Sequence, residues 1–193
     1  MSAALKPPAH MTVAEFLAWD PEDGTGALWQ LRNGEPEMMA PTTENHGAIQ
    51  GELFRLIGNH LLESGSRCRA IITPGVVPRV RADRNALIPD LAVTCAPPSS
   101  VRLMREPVLI VEVMSLSNEA ETRANVWAYS TIPSVQEVLI LFSTQVGAEM
   151  LRRQPDGTWP ELPGFLAGAD PLRMDSVGLV VPLQGVYRTT SLV

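Results

Sequence analysis

The chain contains almost no lysine: it has 15 basic residues, of which Lys6 is a lysine and all the others are arginines. It has neither a glycine-rich dinucleotide fingerprint nor the lysine of a P-loop, which argues against both kinds of nucleotide-binding fold. The net charge of −6 argues against a broad basic surface for nucleic acid, although a local basic patch stays open. The longest apolar run, over residues 107–114, has the length of a strand, so no membrane span is predicted.

Cysteines and targeting signals are scarce as well. Cys68 and Cys95 lie far apart without metal-binding spacing, and residues 1–8 lack the apolar core of a signal peptide. We therefore expect a cytoplasmic protein in which both cysteines are reduced. No zinc, calcium-loop or nucleophile-triad motif is present, and no repeat or linker divides the 193 residues, so a single domain over 1–193 is predicted.

The spacing of apolar residues predicts a chain that mixes helices with strands. Helices are expected over 11–17, 45–62 and 118–130, the first with Thr12 and Glu15 as a capping box. The other predicted elements are a turn over 21–26, a hairpin over 28–40 around Asn33-Gly34, strands over 69–80, 86–95, 107–115 and 136–142, a late hairpin from 150 onward around the turn 155–157, and an edge strand within 177–187. This order predicts an α/β (α+β) fold with a mixed β-sheet flanked by helices, and not a doubly wound sheet.

Two carboxylates interrupt apolar runs that are predicted to be central strands. Asp90 stands within residues 87–93, and Glu112 stands within residues 108–114. A buried carboxylate is costly unless it meets a cation, a network of hydrogen-bond donors or a proton. Two of them on neighbouring strands predict a divalent metal site, and a purely structural hydrogen-bond network is the alternative.

The order of motifs around this pair resembles the Uma2 family of the PD-(D/E)XK restriction-endonuclease-like superfamily. The matching segments are the hairpin 31–35, the helix start 44–49, the strand 88–93 with Pro89-Asp90, the strand 109–117 with Val111-Glu112-Val113, and Tyr129, Pro133, Val135 and Glu137. The resemblance covers residues 10–145 and leaves 146–193 as a C-terminal β extension. It implies a restriction-endonuclease-like core in a bacterial protein that cleaves DNA, and a homodimer is also expected.

The resemblance also implies roles for individual residues. Asp90, Glu112 and the backbone carbonyl of Val113 would bind Mg²⁺ or Mn²⁺ and leave positions open for water and a phosphate oxygen. Such an ion lowers the pKa of a bound water and neutralises charge on the phosphate. His46, at the start of the second helix, is expected to border the same pocket and to contribute to catalysis. The alternative for His46 is a histidine at the edge of the core that binds a backbone carbonyl.

The sequence departs from the family where a lysine is expected. Met114 occupies the usual lysine position after Glu112, and Asn125 occupies the second such position, four residues before Tyr129 in the next helix. Asparagine positions water but carries no charge, so Asn125 is predicted to be an accessory catalytic residue. Arg123 falls on the opposite face of that helix and does not replace the lysine. Weakened or absent cleavage is expected unless another residue supplies the charge.

The remaining polar residues are given structural or surface roles. His60, on the apolar side of its helix, is expected to be structural, and Glu52, on the polar side, is expected to be solvated. Arg79 and Arg81 are predicted to share one strand face, where they either contact a nucleic-acid backbone or are simply exposed.

Three functions remain open on these grounds. The first is a Mg²⁺-dependent endonuclease that uses the two carboxylates as metal ligands. The second is a catalytically weak or inactive relative that keeps the fold and binds metal or nucleic acid. The third is a dimeric interaction module in which the carboxylates are structural. Metal binding separates the first two functions from the third, and DNA cleavage separates the first from the second.

Overall fold

The computed structural model describes residues 10–19 and 26–193. The helices are α1 (Val13–Ala18), α2 (Glu44–Glu63), α3 (Glu119–Ser130) and α4 (Leu183–Tyr187). The strands are β1 (Trp29–Arg32), β2 (Glu35–Met38), β3 (Arg69–Ile72), β4 (Leu91–Thr94), β5 (Pro107–Met114), β6 (Glu137–Phe142), β7 (Gly147–Arg152), β8 (Gly164–Ala167), β9 (Pro171–Met174) and β10 (Leu179–Pro182). Within this described part of the chain, no helix is long and apolar enough to cross a bilayer.

Six strands form one mixed sheet in the order β3-β4-β5-β6-β7-β8. β5 and β6 run parallel, and every other neighbouring pair in this sheet is antiparallel. A parallel pair needs a crossover connection, which α3 supplies between β5 and β6. The predicted fold class, a mixed β-sheet flanked by helices, is confirmed, and so are the two long helices α2 and α3.

The two faces of the sheet carry separate hydrophobic cores, because side chains alternate along each strand. On one face, Val111 and Val113 of β5 lie in a core with α2 and the C-terminal segment. On the other face, Ile110 and Met114 lie in a core with α3. By this alternation, Glu112 belongs to the α3 face of the sheet.

Local sequence signals set several boundaries as predicted. Thr12 accepts the backbone N–H of Glu15, and the Glu15 carboxylate accepts the backbone N–H of Thr12, which confirms the capping box. β1 and β2 form the predicted hairpin, and both Asn33 and Gly34 have positive φ in its turn. The turn predicted over 21–26 falls almost entirely outside the described residues.

The two strands predicted before and around Asp90 are shorter than expected. β3 ends at Ile72 and β4 begins only at Leu91. The segment between them is rich in proline, which has no N–H to donate to a strand ladder. Arg79 and Arg81 lie in turns of this segment, so the prediction that they share one strand face is wrong.

The C-terminal segment also differs from the prediction. β7 pairs with β8, which begins at Gly164, so the late hairpin closes through a longer connection than the predicted turn over 155–157. The strand within 177–187 pairs with β9 in a separate two-stranded sheet, and α4 follows it. It is therefore not an edge strand of the main sheet. The apolar side chains here, such as Leu183 and Tyr187, are buried against the α2 face instead.

Cys68 and Cys95 form a disulfide bond, so the prediction that both are reduced is wrong. The antiparallel register sets Arg69 opposite Thr94, and one further residue in each direction brings the two cysteines together. They are 27 residues apart in sequence, and only the pairing of β3 with β4 makes them neighbours. The bond ties the edge strand of the sheet to the strand that follows Asp90.

Tyr187 connects α4 to the sheet, and its removal should destabilise the fold. Its buried hydroxyl donates to the Gly147 carbonyl at 2.7 Å and accepts the Phe142 N–H at 3.1 Å. Tyr187→Phe leaves both backbone groups without this partner. We therefore expect the free energy of unfolding in urea at pH 8 to fall by about 1–3 kcal/mol.

The pH dependence of the same variant provides a second readout. Burial raises the pKa of the Tyr187 phenol to about 12. Its contribution to stability is complete below its unfolded pKa of about 10 and is lost as the pH rises towards its folded pKa. Between these two pKa values, the free energy of unfolding of the wild type should fall by up to about 2–3 kcal/mol more than that of Tyr187→Phe. Equal stability at pH 8 and parallel alkaline profiles of the two proteins would contradict this assignment.

Candidate active site

Asp90 and Glu112 lie opposite each other where β4 meets β5. The antiparallel register sets Leu91 opposite Val111, and one further residue sets Asp90 opposite Glu112. Both carboxylates are buried, with exposed fractions of 8% and 7%. They line a cleft of about 330 Å³ to which α2, α3 and the β1–β2 hairpin also contribute side chains.

Asp90 is held by four hydrogen bonds. Its Oδ1 lies 2.8 Å from Nε2 of His46, and its Oδ2 accepts the Val113 N–H at 2.7 Å. Its backbone carbonyl accepts the Gln50 side-chain amide at 2.6 Å and the Thr73 N–H at 3.0 Å. His46 and Gln50 stand one turn apart on α2, so they reach Asp90 from the same face of that helix. The start of α2 therefore fixes both the side chain and the backbone of Asp90.

The contact of Val113 with Asp90 also orients the Val113 carbonyl. The N–H and C=O of one strand residue point to the same side of the strand. Since the Val113 N–H reaches Oδ2 of Asp90, the Val113 carbonyl faces the Asp90 side of β5. The β4–β5 pairing ends at Leu91 and Val111, so β4 does not pair with Val113.

Glu112 is the most strongly perturbed carboxylate in the cleft. Burial in the first place, and the charge of Asp90 in the second, raise its pKa well above the usual range. The Tyr129 hydroxyl, which donates to Oε1 at 2.7 Å, and the Asn125 amide partly offset this rise. Burial also raises the pKa of Tyr129, and the adjacent Glu112 carboxylate adds to that effect. A carboxyl group in this environment gains from any cation placed between it and Asp90.

Arg32 contacts residues that line this cleft, and sequence analysis does not identify it as a site residue. Its Nη1 donates to Oδ1 of Asn125 at 2.7 Å, its Nε donates to Glu37 at 2.9 Å, and its Nη2 contacts Glu121. Gln30, two residues earlier on the same face of β1, also donates to Glu121, at 2.9 Å. Arg32 and Asn125 are 93 residues apart in sequence, and no motif spacing connects them. The one available signal was that Arg32 belongs to the opening hairpin of the resemblance.

All the site residues that are predicted from the sequence lie close together in the structure. Asp90, Glu112, His46 and Asn125 line one cleft, and Val113 bonds to Asp90. His46 binds a carboxylate and not a backbone carbonyl, so the alternative proposed for it is wrong in detail.

Sequence analysis also predicts roles for three residues that lie outside the cleft. His60 binds the Val177 carbonyl at 3.0 Å, as expected of a structural histidine. Arg123 lies on the far face of α3 and pairs with Glu149. Glu52 is buried against Arg55 and Arg188, so the prediction that it is solvated is wrong. Its two cations come from its own helix and from the C-terminal segment, which sequence periodicity does not show.

The donor set of the cleft fits a hard divalent cation. Asp90, Glu112 and the Val113 carbonyl offer oxygen atoms only, the ligand type that Mg²⁺ and Mn²⁺ prefer. Among residues 10–19 and 26–193, no group of three or more His, Cys, Asp or Glu side chains is arranged as a metal-ligand cluster. A cation here would therefore depend on two carboxylates, the backbone carbonyl and solvent.

The chain is similar to a protein family, to a protein of known sequence and to solved structures. A family model, Uma2, described as "Putative restriction endonuclease", matches residues 13–184. An uncharacterised protein of Synechocystis sp. is 30% identical over 177 residues, which is 90% of each chain. A crystal structure from Anabaena variabilis, described as "a putative nuclease belonging to DUF820", has a TM-score of 0.75 at 14% identity and covers 92% of this chain and 98% of that one. At that identity, the crystal structure indicates a shared fold alone.

Removing the charge of Glu112 should stabilise the metal-free protein. Glu112→Gln keeps an acceptor for the Tyr129 hydroxyl and removes a charge that burial and Asp90 disfavour. Because the pKa of Glu112 is raised in the fold, its contribution to stability is complete at low pH and is lost as the pH rises through the raised pKa. At pH 8 without divalent metal, the variant should be more stable than the wild type by about 1–3 kcal/mol.

Thermal unfolding in chelator between pH 4 and pH 8 tests this expectation. The difference in Tm between Glu112→Gln and the wild type should shrink towards pH 4, where the wild-type carboxyl is protonated. Glu63→Gln, at the exposed end of α2, is a matched control that should show no such trend. A wild type that is more stable than Glu112→Gln at pH 8 would show that the carboxylate is well compensated without a metal.

Proposed function

Because this chain belongs to the Uma2 family, we propose that it is a Mg²⁺- or Mn²⁺-dependent endonuclease that hydrolyses phosphodiester bonds of DNA. The observation that carries the proposal is the placement of Asp90 opposite Glu112, both buried, on the lining of one open cleft. The family description and the nuclease-like fold support the reaction class. The expected homodimer and cytoplasmic location stay predictions.

The side chains of the cleft divide into ligands and residues that orient them. Asp90, Glu112 and the Val113 carbonyl would hold the ion, which when bound lowers the pKa of a water and neutralises charge on the phosphate. His46 keeps Oδ1 of Asp90 in a fixed direction through its 2.8 Å contact. Asn125 directs its amide towards the Glu112 carboxylate. In this scheme His46 and Asn125 act mainly by positioning the two acids.

A specific observation favours a second candidate function, a catalytically weak or inactive nuclease-fold protein that binds metal or nucleic acid. Met114, at the usual lysine position, is packed in the α3-side core and does not line the cleft. Asn125, at the other lysine position, carries no charge. Removing a preorganised positive group from a phosphoryl-transfer site lowers the rate on the order of 100-fold or more.

Plasmid cleavage with Mg²⁺ or Mn²⁺ tests the proposed function. Wild-type protein should nick supercoiled DNA, and Asp90→Asn should reduce the rate on the order of 100-fold or more, because the substitution removes a ligand charge. Asp156→Asn is the matched control, since its carboxylate accepts from the backbone and side chain of Thr158 in an exposed turn and does not line the cleft. It should cleave like the wild type.

Metal titration by calorimetry on the same proteins separates the candidates. Mn²⁺ binding that Asp90→Asn abolishes, in a wild type that cleaves no DNA, would favour the inactive candidate. Mn²⁺ binding that Asp90→Asn leaves unchanged would contradict the proposed site. Cleavage that Asp90→Asn leaves unchanged would contradict the proposed mechanism.

A further inference from the structure

The lining of the cleft carries an excess of negative charge. Glu37, Asp90, Glu112 and Glu121 line it, and among the described residues no arginine or lysine does. A site with this charge repels a phosphodiester unless cations balance it. A bound divalent ion balances part of this negative charge. A fixed cation close to the lining would balance more of it and would thus reduce the repulsion of a phosphodiester.

Arg32 is a cation in direct contact with this lining. Its side chain is only 18% exposed, and its guanidinium touches three lining residues, Asn125, Glu37 and Glu121. It also borders a neighbouring cavity of about 270 Å³ that shares Asn125 with the cleft. Arg32 therefore stands immediately behind the residue that occupies one of the two expected lysine positions.

The hairpin holds Arg32 in this place from both sides. The preceding residue, Leu31, is fully buried and exchanges two backbone hydrogen bonds of 2.9 Å with Ala86. Within the turn, the Gly34 N–H donates to the Arg84 carbonyl at 2.8 Å. A side chain on so constrained a strand loses little further entropy when it binds Asn125, because its backbone is already fixed.

The two glutamates do not cancel the effect of Arg32 on the acids of the cleft. Their side chains are 40% and 48% exposed, so water screens their charges. Asn125 and Glu112 are only 5% and 7% exposed, so the path from Arg32 to Glu112 is poorly screened. The side of the guanidinium that faces Asn125 is therefore less screened by water than the sides that face the two glutamates.

Asn125 transmits this contact to Glu112. Because its Oδ1 accepts from Arg32, the amide NH₂ of Asn125 is left to donate to the Glu112 carboxylate, which lines the same cleft. One turn further along α3, the Tyr129 hydroxyl donates to Oε1 of the same carboxylate at 2.7 Å.

We propose that Arg32 is a positioning residue that supplies the positive charge of the missing lysine, by turning the Asn125 amide towards Glu112 and by placing a fixed cation directly behind Asn125. This inference rests on the proposed function. The role proposed for Arg32 explains why Asn125 stands at the second lysine position. The side chain there must accept a hydrogen bond from Arg32 and donate one to Glu112, and an amide does both.

The test measures Mn²⁺ affinity and DNA cleavage for Arg32→Gln and Arg32→Lys. Arg32→Gln removes a cation that repels the metal, so Mn²⁺ should bind about three- to tenfold more tightly. Cleavage should nevertheless fall on the order of 10- to 100-fold, because the positioned charge is lost. Arg32→Lys keeps the charge without the fork of donors, so its Mn²⁺ affinity should stay within about threefold of the wild type.

Arg123→Gln is the matched control, because Arg123 also pairs with two glutamates but lies on the far face of α3. It should change neither readout. A double variant, Arg32→Gln with Asn125→Lys, returns one positive charge to the site by another route. It should recover about tenfold of the lost cleavage and bring the Mn²⁺ affinity back towards the wild-type value.

The outcomes separate this inference from the proposed function. If wild type cleaves no DNA, the proposed function fails, and the Mn²⁺ affinities of the variants still decide the role of Arg32. Two results for Arg32→Gln would show that Arg32 is only a structural link and would overturn the inference. One is an unchanged Mn²⁺ affinity, and the other is a weaker Mn²⁺ affinity accompanied by a lower Tm. A double variant no more active than Arg32→Gln also overturns it, and a protein that binds no Mn²⁺ at all overturns both proposals.

Discussion

The antiparallel register of β4 with β5 is the constraint on which the site depends. It sets Asp90 opposite Glu112 and withdraws both carboxylates from water. A shift of one residue would turn either side chain to the other face of the sheet, where the α2-side core has no place for it. The burial of two like charges at this point then demands compensation from every neighbouring element.

Each neighbouring element supplies that compensation in a different form. α2 contributes His46 to Asp90, and α3 contributes Tyr129 and Asn125 to Glu112. The β1–β2 hairpin adds Arg32, which binds Asn125 from behind. His46, Tyr129 and Asn125 thus orient the two acids, and Arg32 adds a positive charge from the hairpin, outside the main sheet and α3. A cation between the acids would complete the same balance of charge.

The parts of the molecule that local pattern controls could be predicted from the sequence. The strand around Glu112 and the long periodic helix α2 agree with the prediction, because burial forces a regular spacing on them. The disulfide and the Arg32 contact could not be predicted, since each depends on a register or a packing between distant segments. The C-terminal strand was misplaced because apolar spacing shows that a segment is buried and not which strand it pairs with.

The central claim is that Asp90 and Glu112 form a metal site, and anomalous diffraction from crystals soaked in Mn²⁺ tests it most directly. One strong peak is expected at about 2.0–2.4 Å from a carboxylate oxygen of each acid and from the Val113 carbonyl. Crystals of Asp90→Asn, soaked in the same way, should lack this peak. A wild-type cleft without a peak at saturating Mn²⁺, or a peak bound by other residues, would contradict the claim.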